Sequence, residues 1–342
     1  MPDFKLDRRD FLKVGGASAL GAPILNEAGT EAAPAAPPAQ AQTPSQAGQK
    51  QFPQLAIITP YSPQNLAFAA SAHYQGVVAP LTKNFNPQLS DSAIDKILES
   101  ARKANVRIIS IECMWGFNHI DPDPAKRREA QEGFIRCLEF GHRLGCKFVG
   151  TFSGGIPGAT DDDQAKALAE AVNEKYVPVL EKLDLGTGWE NFPTSVNFAT
   201  VPGIWKKVFD LVPSHRLGLE FDPSHLVRQF IDPIQAAWDY QDRILAVHCK
   251  DTEITQPVLQ QVGIAGKGWW RYRIPGQGLV DWPKFITVLL QAGFSGGMAV
   301  EHEDEFWDQP HTPQVPEMAQ ARKDGFILAS RFLRMYVPGR LT

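Results

Sequence analysis

The stretch RLGLEFDPSH (residues 216–225) decides the fold. An apolar run ends in Asp222, a proline follows, and His225 stands three positions beyond the aspartate. A parallel strand buried on both faces reads as such a continuous apolar run. A strand end is a poor place to bury a carboxylate, because the charge is costly to desolvate unless it is paired or coordinated. An acid and an imidazole at the point where the backbone leaves a sheet therefore call for a chemical reason.

Working outward, the same unit recurs. LAIITPYS (55–62), GVVAPL (76–81), VRIISIEC (106–113) and CKFVGTFSG (146–154) are strand-like before this stretch, and ILAVHCK (244–250) and GGMAVEH (296–302) after it. Between them lie helical segments. Residues 90–106 have Ser90 or Ser92 as cap and Asn105 near the end. In residues 123–145, Phe134, Cys137, Leu138, Phe140 and Leu144 recur close to helical spacing. Residues 161–183, 232–241, 281–293 and 316–336 also read as helices. Seven strands are clear, and one near 184–190 is short, Gly-rich and poorly patterned. This alternation predicts an α/β chain, a single (β/α)8 TIM barrel over residues 55–342. A doubly wound open sheet is the alternative. No GxGxxG or GxxxxGK[ST] follows any strand, so neither dinucleotide-binding nor P-loop chemistry has support.

The segment before the barrel is of another kind. MPDFKLDRRDFLKVGGASALGAPIL (1–25) carries Arg8-Arg9, then Phe-Leu-Lys, then a weak apolar stretch rich in Gly and Ala. It reads as a twin-arginine export signal over residues 1–41, with Ala39-Gln40-Ala41 as a cleavage point. The expected location is the periplasm, without stable membrane insertion, because the apolar stretch is too short to span. Residues 42–54, within an Ala-, Pro- and Gln-rich run, read as a disordered linker. The chain has 342 residues and a net charge of −4, a mild balance that argues against a surface built to bind nucleic acid. Cys113, Cys137, Cys146 and Cys249 show no CxxC spacing and are expected to be buried free thiols.

Barrel enzymes place their chemistry where strands end and βα loops begin. Glu190 stands at the end of the doubtful fifth strand, Asp222 and His225 at the sixth, His248 and Lys250 at the seventh, and Glu301 at the eighth. Each has an ordinary reading alone: Asp222 as an Asp-Pro turn initiator, His248 as a strand-end histidine, Glu301 as a strand-end charge. Together, four successive strands deliver carboxylate, carboxylate, imidazole and carboxylate to one mouth. Three oxygens and a nitrogen suit one divalent metal ion, Mn²⁺, Mg²⁺, Co²⁺ or Zn²⁺.

The segments WENFP (189–193), LGLEFDPSHL (217–226), DRILAVHCKD (242–251), GWWRYRIPGQG (268–278) and VEHEDEFW (300–307) resemble the sugar phosphate isomerase/epimerase family of xylose isomerase-like barrels. NHIDPDPAKR (118–127) matches as well, and the resemblance covers residues 55 to about 335. It implies a metal held by Glu190, Asp222, His248 and Glu301. It implies that Glu190 and Glu301 also move protons, one taking a C–H proton beside a carbonyl and one returning a proton through an enediolate. His225 is implied to contact a substrate oxygen. The expected activity is that of a metal-dependent sugar or keto-sugar isomerase or epimerase, with a small carbohydrate as partner. An exported lyase or hydrolase of oxidised (3-keto) glycosides using the same metal is one alternative. A non-catalytic sugar-binding protein is another, because the weak fifth strand puts Glu190 in question. The oligomeric state stays open.

Further residues complete the expected site. Lys250 would add positive charge near the enediolate, or pair with Asp251 or Glu253. Trp269 and Trp270, with Arg271 and Arg273, would form a lid over a sugar face, or a packed loop. Asn118 and His119 are expected at the rim.

Overall fold

The computed structural model describes residues 51–307 and 318–338. The expected export signal and the linker up to residue 50 lie outside the described residues. So do residues 316–317 of the last expected helix. The first strand begins at Gln54, the last residue assigned to the linker.

Eight parallel strands close a barrel, as the alternation predicts. They are β1 (Gln54–Ile58), β2 (Gly76–Pro80), β3 (Arg107–Cys113), β4 (Phe148–Thr151), β5 (Gly186–Glu190), β6 (Leu217–Phe221), β7 (Ile244–Cys249) and β10 (Gly297–Val300). Closure comes from β10 returning to β1, with Ala56 beside Ala299. Between β7 and β10, β8 (Asp251–Ile254) and β9 (Trp270–Arg273) form a separate antiparallel ribbon.

The doubtful fifth strand is complete. Each of its residues pairs with a neighbour, Trp189 with Thr151 of β4 and Glu190 with Glu220 of β6 among them. Gly188 is there for space: a Cβ on it would run into the Gly218 carbonyl. The weak apolar pattern thus reflects close backbone approach rather than a lost strand.

Helices α1 (Pro63–Ser71), α2 (Asp91–Ala104) and α3 (Pro124–Arg143) cover the first strands. Ser90 caps α2 by accepting from the Ala93 N–H, and Asn105 ends it in the left-handed region at φ 56°. The helix expected over 161–183 forms as one helical run with a π-helical turn inside it. That turn, Val172–Tyr176, joins α4 (Asp161–Ala171) to α5 (Val177–Leu183). Pro178 lies inside this helical run, just past the π-helical turn, and supplies no N–H to it. The remaining helices are α6 (Pro202–Leu211), α7 (Pro223–Val227), α8 (Pro233–Asp239), α9 (Gln256–Val262), α10 (Trp282–Gln291) and α11 (Gln320–Leu333). No described helix is long and apolar enough to cross a membrane.

The main core fills the layer between strands and helices, with Phe134, Phe140, Trp205, Trp282, Phe285 and Phe326 fully buried. The four cysteines are buried and free. Side chains alternate across a strand. While Leu55 and Ile57 pack in that layer, Ala56 and Ile58 join Val78, Ile109 and Ala299 in a small cluster facing the other way, into the barrel.

Candidate active site

The ends of β5, β6, β7 and β10 converge. Asn191, one residue past β5, clamps the β6 exit: its Oδ1 accepts from Asp222 N–H at 2.8 Å and its Nδ2 donates to Asp222 O at 2.9 Å. Asp222 caps α7, its Oδ1 accepting from the Ser224 N–H at 2.8 Å. One turn of α7 then carries His225 over the barrel mouth, as the DPSH spacing predicts.

Glu190, Asp222, His248 and Glu301 each bring one donor atom within 4.8 Å of the others. His248 stands at their centre. Its Nδ1 lies 3.1 Å from Glu190 Oε1 and 3.3 Å from Glu301 Oε2. Its Nε2 faces the barrel interior, 3.1 Å from Glu220 Oε1 and 3.5 Å from Glu112 Oε1. His225 Nε2 approaches Glu190 Oε1 at 3.1 Å and Asp222 Oδ2 at 3.2 Å. Lys250, fully buried, pairs with Glu301 at 2.6 Å, Glu303 at 2.9 Å and Asp222 at 3.2 Å. It does not pair with Asp251 or Glu253. Asp251 instead accepts from the N–H groups of Thr252, Gly276 and Val280 and from the Trp282 indole, anchoring the ribbon.

These surroundings split the acids. Burial, helped by the charge on Glu301, pushes the Glu190 carboxyl up to about 8. Burial acts on Glu301 too, but Lys250 and His248 outweigh it and hold that carboxyl well below the usual range. Burial raises Asp222 against the pull of Lys250. The His248 imidazole is desolvated, yet Glu220 and Glu190 lift it well above its usual value. Burial and then Lys250 push His225 well down, so it is neutral.

The ribbon supplies a residue that sequence reading passed over. Tyr272 sits on β9, its hydroxyl 2.9 Å from His225 Nδ1, with Lys250 Nζ 4.5 Å from its ring centre. Alternation along β9 turns Arg271 and Arg273 the other way, and both bind Glu253. Arg271 is thus half-exposed and paired with its cross-strand partner rather than turned to the cluster. Trp269 is buried and stacks on Phe230 at 5.7 Å, as a packed loop residue would. Trp270 lies beneath Arg228, at 4.1 Å.

At the other side of the mouth, the Asn118 amide is taken up by Gly155. Its Nδ2 donates to Gly155 O at 2.9 Å, and its Oδ1 accepts from Gly155 N–H at 3.0 Å. His119 is buried below the rim, between Tyr176 Oη at 2.7 Å and Thr151 Oγ1 at 2.9 Å. Glu112 and Glu220 were also missed. An acid inside a continuous apolar strand was the available signal in both cases. Gly150 makes room for Glu220, since a Cβ there would collide with its carboxylate.

The donor set fits a divalent cation. Three carboxylates with one imidazole suit such an ion, and buried Asp222 Oδ2 has only His225 Nε2 and Lys250 Nζ near it, each at 3.2 Å. Glu220 lies behind His248 in the position of an outer carboxylate that fixes a ligating imidazole.

A closed parallel barrel with this cluster at its strand ends defines the class. The chain belongs to the xylose isomerase-like TIM barrel family, whose model matches residues 66–324. It is 23% identical to the inosose dehydratase of Lacticaseibacillus casei over 225 residues, which span 59% of this chain and 72% of that one. Among solved structures, D-allulose 3-epimerase from Methylomonas sp. in complex with D-allulose superposes with a TM-score of 0.63 at 14% identity. That match covers 84% of this chain and 98% of the epimerase. The 3-keto-D-glucoside 4-epimerase of E. coli superposes with a TM-score of 0.61 at 13% identity, over 83% of this chain and 99% of that one. The family contains epimerase and dehydratase members.

Proposed function

We propose that the protein is a sugar or keto-sugar isomerase or epimerase that abstracts a proton beside a carbonyl. Glu190, Asp222, His248 and Glu301 would hold its divalent metal. The observation that carries this reading is the pair Glu190 and Glu301, which flank one imidazole nitrogen of His248 at 3.1 and 3.3 Å. The metal, when bound, supplies Lewis-acid stabilisation of the oxygen on which negative charge develops.

One of the two carboxylates takes the proton from the carbon beside the carbonyl, and the other returns a proton. Delivery to the opposite face of the same carbon gives an epimer, and delivery to the neighbouring carbon an isomer. His225 is held at Nδ1 by Tyr272 with Nε2 turned to the cluster, where a substrate oxygen would replace Glu190 as the partner of that nitrogen. Lys250 places a fixed positive charge beside the developing oxyanion.

A second reading uses the same base. If a leaving group stands beside the carbanion, elimination follows, and the name of the inosose dehydratase relatives favours it. An exported lyase or hydrolase of 3-keto glycosides is that reading's form here. A complete β5 supports a catalytic chain over a non-catalytic sugar-binding protein. The twin-arginine pattern supports a periplasmic location and, with it, an unphosphorylated substrate.

The test is incubation with ketoses and 3-keto-glucosides in D₂O, wild type beside Glu301→Gln. Deuterium at the carbon beside the carbonyl with the sugar intact supports isomerase or epimerase action. Release of water or an aglycone supports the lyase. The Glu301→Gln variant is expected to lose a factor of about 10²–10⁴ in exchange. Neither exchange nor release with any of these sugars would contradict the reading.

A further inference from the structure

A cavity of about 820 Å³ lies outside the cluster, between the chain after β2, the loop leaving β3 and the outer surface of α3. Its lining includes Trp115, Phe117, Asn86, Gln88 and Arg136. Trp115 is 67% exposed, a large apolar face left open to solvent. Its ring is not isolated from the barrel mouth. It meets Phe152 edge-on at 5.1 Å, Phe152 stacks on Phe192 at 6.0 Å, and Phe192 lies 5.0 Å from the ring of His225. A row of aromatic rings thus leads from the candidate substrate histidine to the cavity. The two Asn118–Gly155 hydrogen bonds tie the β3 loop to the loop after β4, so this wall is fixed before any ligand arrives.

We propose that this cavity is a subsite for the non-reacting ring of a glycoside, so that the substrate is larger than a monosaccharide. Aromatic faces hold the apolar face of a ring by stacking, and interleaved amide and guanidinium groups serve ring hydroxyls. A cavity lined by two aromatic residues with Gln88 and Arg136 offers both. The mild overall charge and the absence of a dominant cation cluster in the lining fit a neutral ring better than a phosphate. The inference rests on the sugar-enzyme reading for the place of the reacting ring, at His225.

The experiment is calorimetric binding of glucose, cellobiose and phenyl β-glucoside, none carrying a keto group, to wild type and Trp115→Ala. Trp115 is exposed, so the variant is expected to fold as wild type does. The expected result is that cellobiose or phenyl glucoside binds wild type on the order of tenfold more tightly than glucose, and that Trp115→Ala removes this margin and leaves glucose binding unchanged. No margin in wild type, no binding of any probe, or a margin that survives Trp115→Ala would overturn the proposal. Exchange assayed in parallel separates the two claims: a Trp115-dependent margin without any exchange sustains the subsite while the proposed activity fails.

Discussion

His119 and His248 are both about 1% exposed, and both lie toward the strand-end side of the barrel. Burial alone would treat them alike. His119 is met by two neutral hydroxyls, those of Tyr176 and Thr151, and burial pushes it down to about 4. His248 is met by four carboxylates, and they override burial to raise it well above the usual value. Fully satisfied by neutral partners, the first has a structural role. The second sits in a charged cluster with unbonded buried oxygens around it. A buried histidine is therefore told apart by its partners rather than by its depth.

Removing each histidine sharpens the contrast. The His248→Ala variant leaves Glu190, Glu301, Glu220 and Glu112 without their shared cation, and should lower the stability of the metal-free protein by about 3–5 kcal/mol. Urea denaturation measures it. A loss below that expected for an ordinary buried side chain would break the comparison.

The folded value of His119, about 4, lies below the unfolded value near 6.5. The stability of the neutral form is present above 6.5 and lost as pH falls toward 4, by about 3 kcal/mol at most. The His119→Gln variant should flatten that part of the stability profile, whereas a slope unchanged by the substitution would count against the assignment.

The smallest effect is expected at the ribbon. Tyr272→Phe removes the hydrogen bond to His225 Nδ1 and should cost about 1 kcal/mol, roughly a fivefold fall in kcat/KM, with the fold intact. A fall beyond about a hundredfold would place Tyr272 in the proton transfer itself.

The barrel was largely legible because parallel strands buried on both faces are apolar runs, and β6 and β7 read that way directly. The strand β5 was not, because Gly188 trades a side chain for close backbone packing and Gly186 leaves a second gap in the apolar pattern. Helices α1 and α6 begin with proline, which reads as a breaker yet serves well in a first turn. The positions of Glu190, Asp222, His225, His248 and Glu301 followed from strand ends alone. Tyr272 and the direction of Arg271 did not, because they depend on a ribbon whose strands are separated by the helix α9 and its loops, so register was invisible in the sequence. Glu112 and Glu220 were hidden inside strands whose neighbours are apolar.

The most direct test of the central claim is the metal content of the purified protein, wild type beside Glu190→Ala and His248→Ala. About one divalent ion per chain is expected in wild type, lost in both variants. Wild type without metal after incubation with Mn²⁺, Mg²⁺, Co²⁺ and Zn²⁺, or variants that keep it, would contradict a four-ligand metal site.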